Sequence, residues 1–263
     1  MTTHSFALRD SMTMVRRSLK HMLRYPVLTL MVAGIPVVLL LLFVYVFGDT
    51  MGAGLVGVSG GRADYLNYLI PGILLLAVAG SAQGTAISVA LDMQEGIIAR
   101  FRTMAIARVS VLTGHVVGAV IQTMLGLALV IGIALLVGFR PIAGLVEWIA
   151  AIGLLALIAI ALTWLSVALG LAAKSVESAS NTPMILMLLP FLGSGFVPTE
   201  GMPVGLRWFA EYQPFTSVIE TLRGLLLGTP IGSSAIFAIA WCTAITLAAY
   251  LWAKGVYNRD PSR

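Results

Sequence analysis

Residues 66–91 read LNYLIPGILLLAVAGSAQGTAISVAL, twenty-six positions without an Asp, Glu, Lys or Arg. A helix needs about 20 apolar residues to cross the hydrocarbon core of a bilayer, so this stretch is a membrane crossing. It is not isolated. Charge-free runs of more than 20 residues also occupy 25–48, 109–139, 148–173, 178–199 and 224–253. The whole composition follows: of 263 residues 59% are hydrophobic and 10% charged, with a mean hydropathy of +0.98. A soluble domain carries about 25% charged residues, and a disordered chain has far less apolar content than this. The chain is therefore expected to be an all-α integral membrane protein with six transmembrane helices, near 27–47, 66–91, 111–137, 148–172, 181–196 and 234–253.

Six crossings put both termini on one side. Of the sixteen Lys and Arg residues, twelve fall on that side and only Arg62, Arg140, Arg207 and Arg223 fall opposite. With the acids counted, the two sides carry +7 and −2. The positive-inside rule places both termini in the cytoplasm, and the formal charge of +5 reads as a topology signal. A nucleic-acid partner would need a basic patch on a soluble module, and none is expected. The first apolar run follows a long basic lead and precedes five more, which does not fit a cleaved signal peptide. The segments between crossings are each too short to bury a core of their own. Residues 1–263 are accordingly read as a single transmembrane domain, with any motor or catalytic domain on another chain.

The polar residues within 66–91 are the informative ones. Ser81, Thr85, Ser88 and Asp92 follow i, i+4, i+7, i+11 spacing and share a helix face, with Gln83 on another. Gly80 and Gly84 form a GxxxG that permits close helix approach, as do Gly114 and Gly118 in the next crossing. Polar side chains inside a bilayer usually face the bundle interior or a water-filled route. The alternative is that they bond the carbonyl four residues earlier or a neighbouring helix. The fifth crossing is interrupted by Pro183, Pro190, Gly193 and Gly195. Its Met184, Met187 and Phe191, with Ser194, can share a face and form an adaptable apolar wall, or simply pack. Ser81, Thr85, Ser88, Met184, Met187 and Phe191 are thus the candidate translocation-pathway residues.

Outside the crossings, residues 8–24 alternate Leu8, Met12, Val15, Leu19, Met22 and Leu23 with Arg9, Arg16, Arg17, Lys20 and Arg24. That is an interfacial helix on anionic lipid. Residues 92–104 place Ile97, Ile98, Phe101 and Met104 on one stripe, with Glu95, Arg100 and Arg102 polar, a short amphipathic cytoplasmic helix. Residues 200–228, with Trp208, Phe209 and Tyr212, read as outer interfacial or re-entrant pieces in an aromatic belt. Cys242 and His115 are read as structural. Gly170 to Ser175 lacks the Gly that a phosphate-binding loop needs before its Lys. No HExxH, GxSxG, paired-Cys motif or His/carboxylate cluster occurs, so no catalytic or metal site and no cofactor is expected on this chain.

Three blocks in this order, Tyr68-Leu69-Ile70-Pro71-Gly72-Ile73, Glu95 through Ala105, and Asn181 to Gly228 with Gly195-Phe196-Val197-Pro198, Pro214-Phe215-Thr216 and Leu222-Arg223-Gly224, resemble type-2 ABC exporter permeases. The likeness is to the daunorubicin/doxorubicin-resistance branch of bacteria. The resemblance implies a homodimer in the bacterial cell membrane, each copy bound to a separate ATPase subunit that holds the ATP and Mg. It implies that Glu95, Ile97, Arg100, Phe101, Arg102 and Met104 belong to a coupling helix docked on that ATPase. It also implies that drugs, antibiotics or lipids pass between the protomers, past the second and fifth crossings. Export of a polysaccharide or complex lipid by the same architecture is the nearer alternative. An ATP-independent secondary transporter is the more distant one, since it would call for inverted repeats or intramembrane carboxylates.

Overall fold

The computed structural model describes residues 26–56, 61–95, 108–173 and 175–258. The proposed interfacial helix at 8–24, and Ile97, Arg100, Phe101, Arg102 and Met104, lie outside them. The described elements are helical throughout: α1 (Pro26–Leu42), a π-helical turn (Phe43–Phe47), α2 (Gly48–Val56), α3 (Arg62–Gln94), α4 (Arg108–Val137), α5 (Leu145–Ala172), α6 (Val176–Leu188), α7 (Val204–Tyr212), α8 (Pro214–Leu227) and α9 (Ser234–Asn258).

Among the described residues, five helical stretches are long and apolar enough to cross a membrane: Ala33–Gly54, Arg62–Gln94, Val116–Val137, Leu145–Ala172 and Ser234–Tyr257. This is a multi-pass all-α membrane protein. The first stretch runs past its expected end at 47 because the π turn lets α1 continue into α2 without a break. The GDTMGAGLV segment that reads as loop in sequence is helix. Arg62 anchors it from the next helix, pairing with Asp49 at 3.2 Å and lying over the Tyr45 ring at 5.1 Å. The stretch expected as the fifth crossing contains only the 13-residue α6, followed by a series of turns. At 1.5 Å per residue α6 reaches about 20 Å, short of the roughly 30 Å hydrocarbon core.

α3 is the centre of the bundle. It packs against α1, α2, α4, α5, α6 and α8, and every residue from Leu69 to Ala79 is buried. A helix that is apolar all round belongs in such a position. The helices around it expose their far faces instead, with Ile149 and Ile152 on α5 and Ile236, Ile239, Leu247 and Leu251 on α9 all exposed, as lipid-facing surfaces should be. Close approach on the α5 side depends on Gly170, where a Cβ would stand 2.7 Å from the Ala86 carbonyl oxygen.

Two apolar cores divide the bundle along its length. The larger surrounds the first two-thirds of α3. The smaller joins Val89, Val116, Trp164, Leu171, Ala253 and Tyr257 at the opposite end, where Trp164 meets Tyr250 edge-on at 5.1 Å. Cys242 is fully buried in the larger core, a packing position. The loop after α4 lies at the same end as the start of α3 and the end of α8: the Arg140 N–H donates to Asn67 Oδ1, and the Ile142 N–H donates to the Leu226 carbonyl. Gly228, at φ +70°, closes α8 in the left-handed conformation that favours glycine.

Candidate functional site

The site is built around the end of α6. Ser175 caps this helix by accepting the Ser178 N–H. Pro190 then lies in the first of the turns, and the backbone runs through them to Phe196. A non-helical backbone at membrane depth leaves carbonyls that only protein groups can satisfy, and four side chains supply the donors. Gln213 Nε2 donates to the Leu189 carbonyl at 3.0 Å. The Tyr68 hydroxyl donates to the Ser194 carbonyl at 2.9 Å, and the Tyr65 hydroxyl reaches the Phe196 carbonyl at 3.4 Å. Arg223, projecting from α8, completes the set.

Arg223 is 6% exposed. Its Nη2 donates to the Ser194 carbonyl at 2.7 Å and to the Tyr68 carbonyl at 3.2 Å, while Nη1 pairs with Glu220 at 2.6 Å. Its guanidinium also lies 3.9 Å from the Tyr68 ring centroid, a cation–π contact strengthened by desolvation. The planar fork suits this task because one rigid group binds α3, the turn and its own helix at once. One turn along α3 from Tyr68, α3 and the turn meet backbone to backbone: a Cβ on Gly72 would stand 2.5 Å from the Gly195 carbonyl oxygen.

An aromatic column runs from the turn to the π-helical segment. Phe191 stacks on Phe196 at 4.1 Å and 9°, Phe196 meets Phe43 at 5.1 Å, and Phe43 meets Phe47 at 5.7 Å. The π turn sets Phe43 and Phe47 into this column, and single π turns of this kind are frequent at functional sites.

The six expected pathway residues divide between two environments. Met184 is 54% exposed and Phe191 38%; Met187 is half-buried, its Cε 3.8 Å from where a Cβ on Gly80 would be. Gly84 and Ser88 are exposed on α3. Ser81 and Thr85 are buried instead. Ser81 Oγ shares a hydrogen bond with Thr123 Oγ1 of α4 at 2.5 Å, and Thr85 Oγ1 donates to the Ser81 carbonyl at 3.0 Å. These two make the bonds of the packing alternative, and α4 is the reason. It covers the Ser81 level of the shared face, while Ser88, two turns further along, is exposed. Gln83, on a different face, donates to the Ser180 carbonyl and ties α3 to α6. Of the expected coupling residues, only Glu95 is described. It is exposed and caps α3, its N–H donating to the Leu91 carbonyl.

Sequence reasoning did not single out Arg223, Gln213 or Tyr65 as parts of a site. A signal for the first was available: Arg223 is the one charge in the run from Thr221 to Leu227, and an Arg among apolar residues must find partners.

A family model described as ABC-2 type transporter matches residues 10–227. The chain belongs to the ABC-2 type transporter family. Its curated relatives include the daunorubicin resistance ABC transporter permease protein DrrB1 of Streptomyces coeruleorubidus, 28% identical over 224 residues, which cover 85% of this chain and 77% of the relative. A probable doxorubicin resistance ABC transporter permease protein DrrC of Mycobacterium tuberculosis is 24% identical over 180 residues, covering 68% of this chain and 65% of the relative. The expected likeness to the daunorubicin/doxorubicin-resistance branch is borne out. The chain is an ABC-2 type permease with drug-resistance homologues.

Proposed function

We propose that this permease is the membrane subunit of an ATP-driven exporter of amphipathic drugs, antibiotics or lipids. It works in the bacterial plasma membrane with both termini in the cytoplasm. ATP and Mg are held by a separate ATPase present in two copies, and a second copy of the permease completes the route. The observation that carries this reading is the exposure of small and adaptable side chains on two packed helices, Gly84 and Ser88 on α3 and Met184 on α6, with Phe191 exposed in the turn that follows. A membrane protein with this many exposed apolar groups beside a small-residue groove can pack a second protomer there. It can also keep a Met- and Phe-rich wall that adapts to varied apolar ligands.

Ser88, Met184, Met187 and Phe191 are the route residues in this reading, and Ser81 and Thr85 hold α3 to α4 behind them. Replacing Met187 and Phe191 together by Ala is expected to shift relative transport of two amphiphiles of different shape by roughly tenfold. A single methylene in an apolar pocket already discriminates by about tenfold or more, and these truncations remove far more than that. Membrane insertion should be unaffected. An unchanged substrate profile in inside-out vesicles would reduce both residues to packing.

Glu95, Ile97, Arg100, Phe101, Arg102 and Met104 couple the permease to the ATPase. Phe101→Asp should weaken ATPase binding on the order of tenfold, as loss of an aromatic anchor does at an interface, and lower transport with it. Normal co-purification and transport by that variant would remove the coupling assignment. The whole reading is tested by gentle purification from native membranes followed by a vanadate-sensitive ATPase assay. A stoichiometric ATPase stimulated by amphiphiles is the expected result. Transport that follows an ion gradient, with no ATPase attached, would overturn it.

A further inference from the structure

A second cavity lies away from the face just described, between α7, α8 and the first turns of α9. It measures about 760 Å³, within the range of small-molecule sites, and Glu200, Glu211, Glu220, Thr216, Phe237 and Trp241 are among its walls. No Lys or Arg lines it. Arg207 pairs with Glu211 and Arg223 with Glu220 from outside the cavity, both at 2.6 Å. Among the described residues Glu200 makes no ion pair. One carboxylate is therefore in excess. Among the described residues no three acids come close enough to hold a metal ion.

The remainder of the cavity is apolar. Phe237 and Trp241 are 52% and 42% exposed, and the wall follows α9 from Ser234 to Ala244, about 15 Å at 1.5 Å per residue. Thr216, 6% exposed, adds a hydroxyl that finds no hydrogen-bond partner in the fold. Carboxylates and aromatic faces in one cleft suit one kind of molecule. Aromatic faces attract organic cations, and a cleft lined by one sign of charge concentrates the opposite sign.

We propose that this cavity binds the ammonium group of a cationic or zwitterionic amphiphile, with Glu200 as its counter-charge and the apolar body along Phe237 and Trp241. It is a site separate from the route past Met184 and Phe191. The proposal rests on the exporter reading only for one of its two sources of ligand: an amphiphile that has just been exported, or the ammonium headgroup of a membrane lipid.

Ser233 lines the cavity mouth and is exposed, so Ser233→Cys provides a reporter on the full chain in nanodiscs, with Cys242 buried as background. A cationic methanethiosulfonate should label it about tenfold faster than an anionic one. Glu200→Gln should remove most of that preference. Rhodamine 6G, an aromatic organic cation, should protect the thiol in phosphatidylglycerol discs, and Trp241→Ala should lower that protection at least severalfold. Protection by phosphatidylethanolamine discs without the dye would identify the lipid as source, and protection by the dye alone would identify an exported amphiphile. Equal labelling by the two reagents, or no protection by dye or lipid, overturns the proposal. ATP-driven transport in a protein that fails these tests leaves the exporter reading standing. A protein that passes them without ATP-driven transport retains the site and loses the exporter.

Discussion

Arg223→Met should destabilise the protein by about 3 kcal/mol, the worth of one or two hydrogen bonds from a buried charged donor, and should abolish transport. The loss has separable parts. The Tyr68 carbonyl loses the Arg223 donor, and the Ser194 carbonyl keeps only the Tyr68 hydroxyl. Each carbonyl keeps another donor, so the loss is that of the bonds themselves, about 1.5–3 kcal/mol for a charged donor. The Glu220 carboxylate loses its partner too, but its side chain is 37% exposed, so water recovers part of that term. Glu220→Gln should therefore cost only about 1 kcal/mol. Arg223→Lys should fall between, since an ammonium keeps the charge without the planar fork that reaches two carbonyls at once. Irreversible thermal inactivation in detergent, followed as a rate, gives the ordering. If Arg223→Met matched the parent in both inactivation and transport, the turn would not depend on this latch.

The same residue shows what can and cannot be read from sequence. Charge-free length located the five helices long enough to span, because a bilayer imposes one length on every spanning helix. The run at 178–199 passes the same test, however, and holds only the 13-residue α6. Pro183, Pro190, Gly193 and Gly195 announced that the segment near 181–196 would break. They could not announce what holds the broken backbone. Tyr68 and Arg223 are 155 residues apart, and no local periodicity links them.

The stripe on α3 has a related difficulty. Helical spacing places Ser81, Thr85 and Ser88 on one face, and they are on one face. Whether that face is covered depends at each level on α4, which brings Thr123 to Ser81 and leaves Ser88 exposed. The small, Gly-rich composition of 48–56 also misled, since its helix packs along the start of α3, with Gly52 close against Gly61, and does not rest on its own propensity.

Gly72→Val should be nearly as severe as the loss of Arg223, for a steric reason that reports on the same turn. A Cβ at position 72 would stand 2.5 Å from the carbonyl oxygen of Gly195 and 2.9 Å from its Cα. These are backbone atoms that cannot rotate away. Overpacking a close contact costs about 1–3 kcal/mol when side chains can adjust, and more is expected where the backbone itself must move. Gly72→Ala should show the smaller effect. Gly153→Ala, on α5 with nothing within 4 Å of the added atom, should be neutral or gain up to about 1 kcal/mol from helix propensity. Pushing residue 195 away from α3 also draws the Ser194 carbonyl away from Tyr68 and Arg223. The two substitutions therefore act on one structure, and their effects should not add. The double variant Gly72→Val/Arg223→Met is expected to be less destabilised than the sum of the single variants by about 1 kcal/mol or more, the sign of coupling through a shared element. Strict additivity would mean that the glycine contact and the arginine latch hold the turn independently.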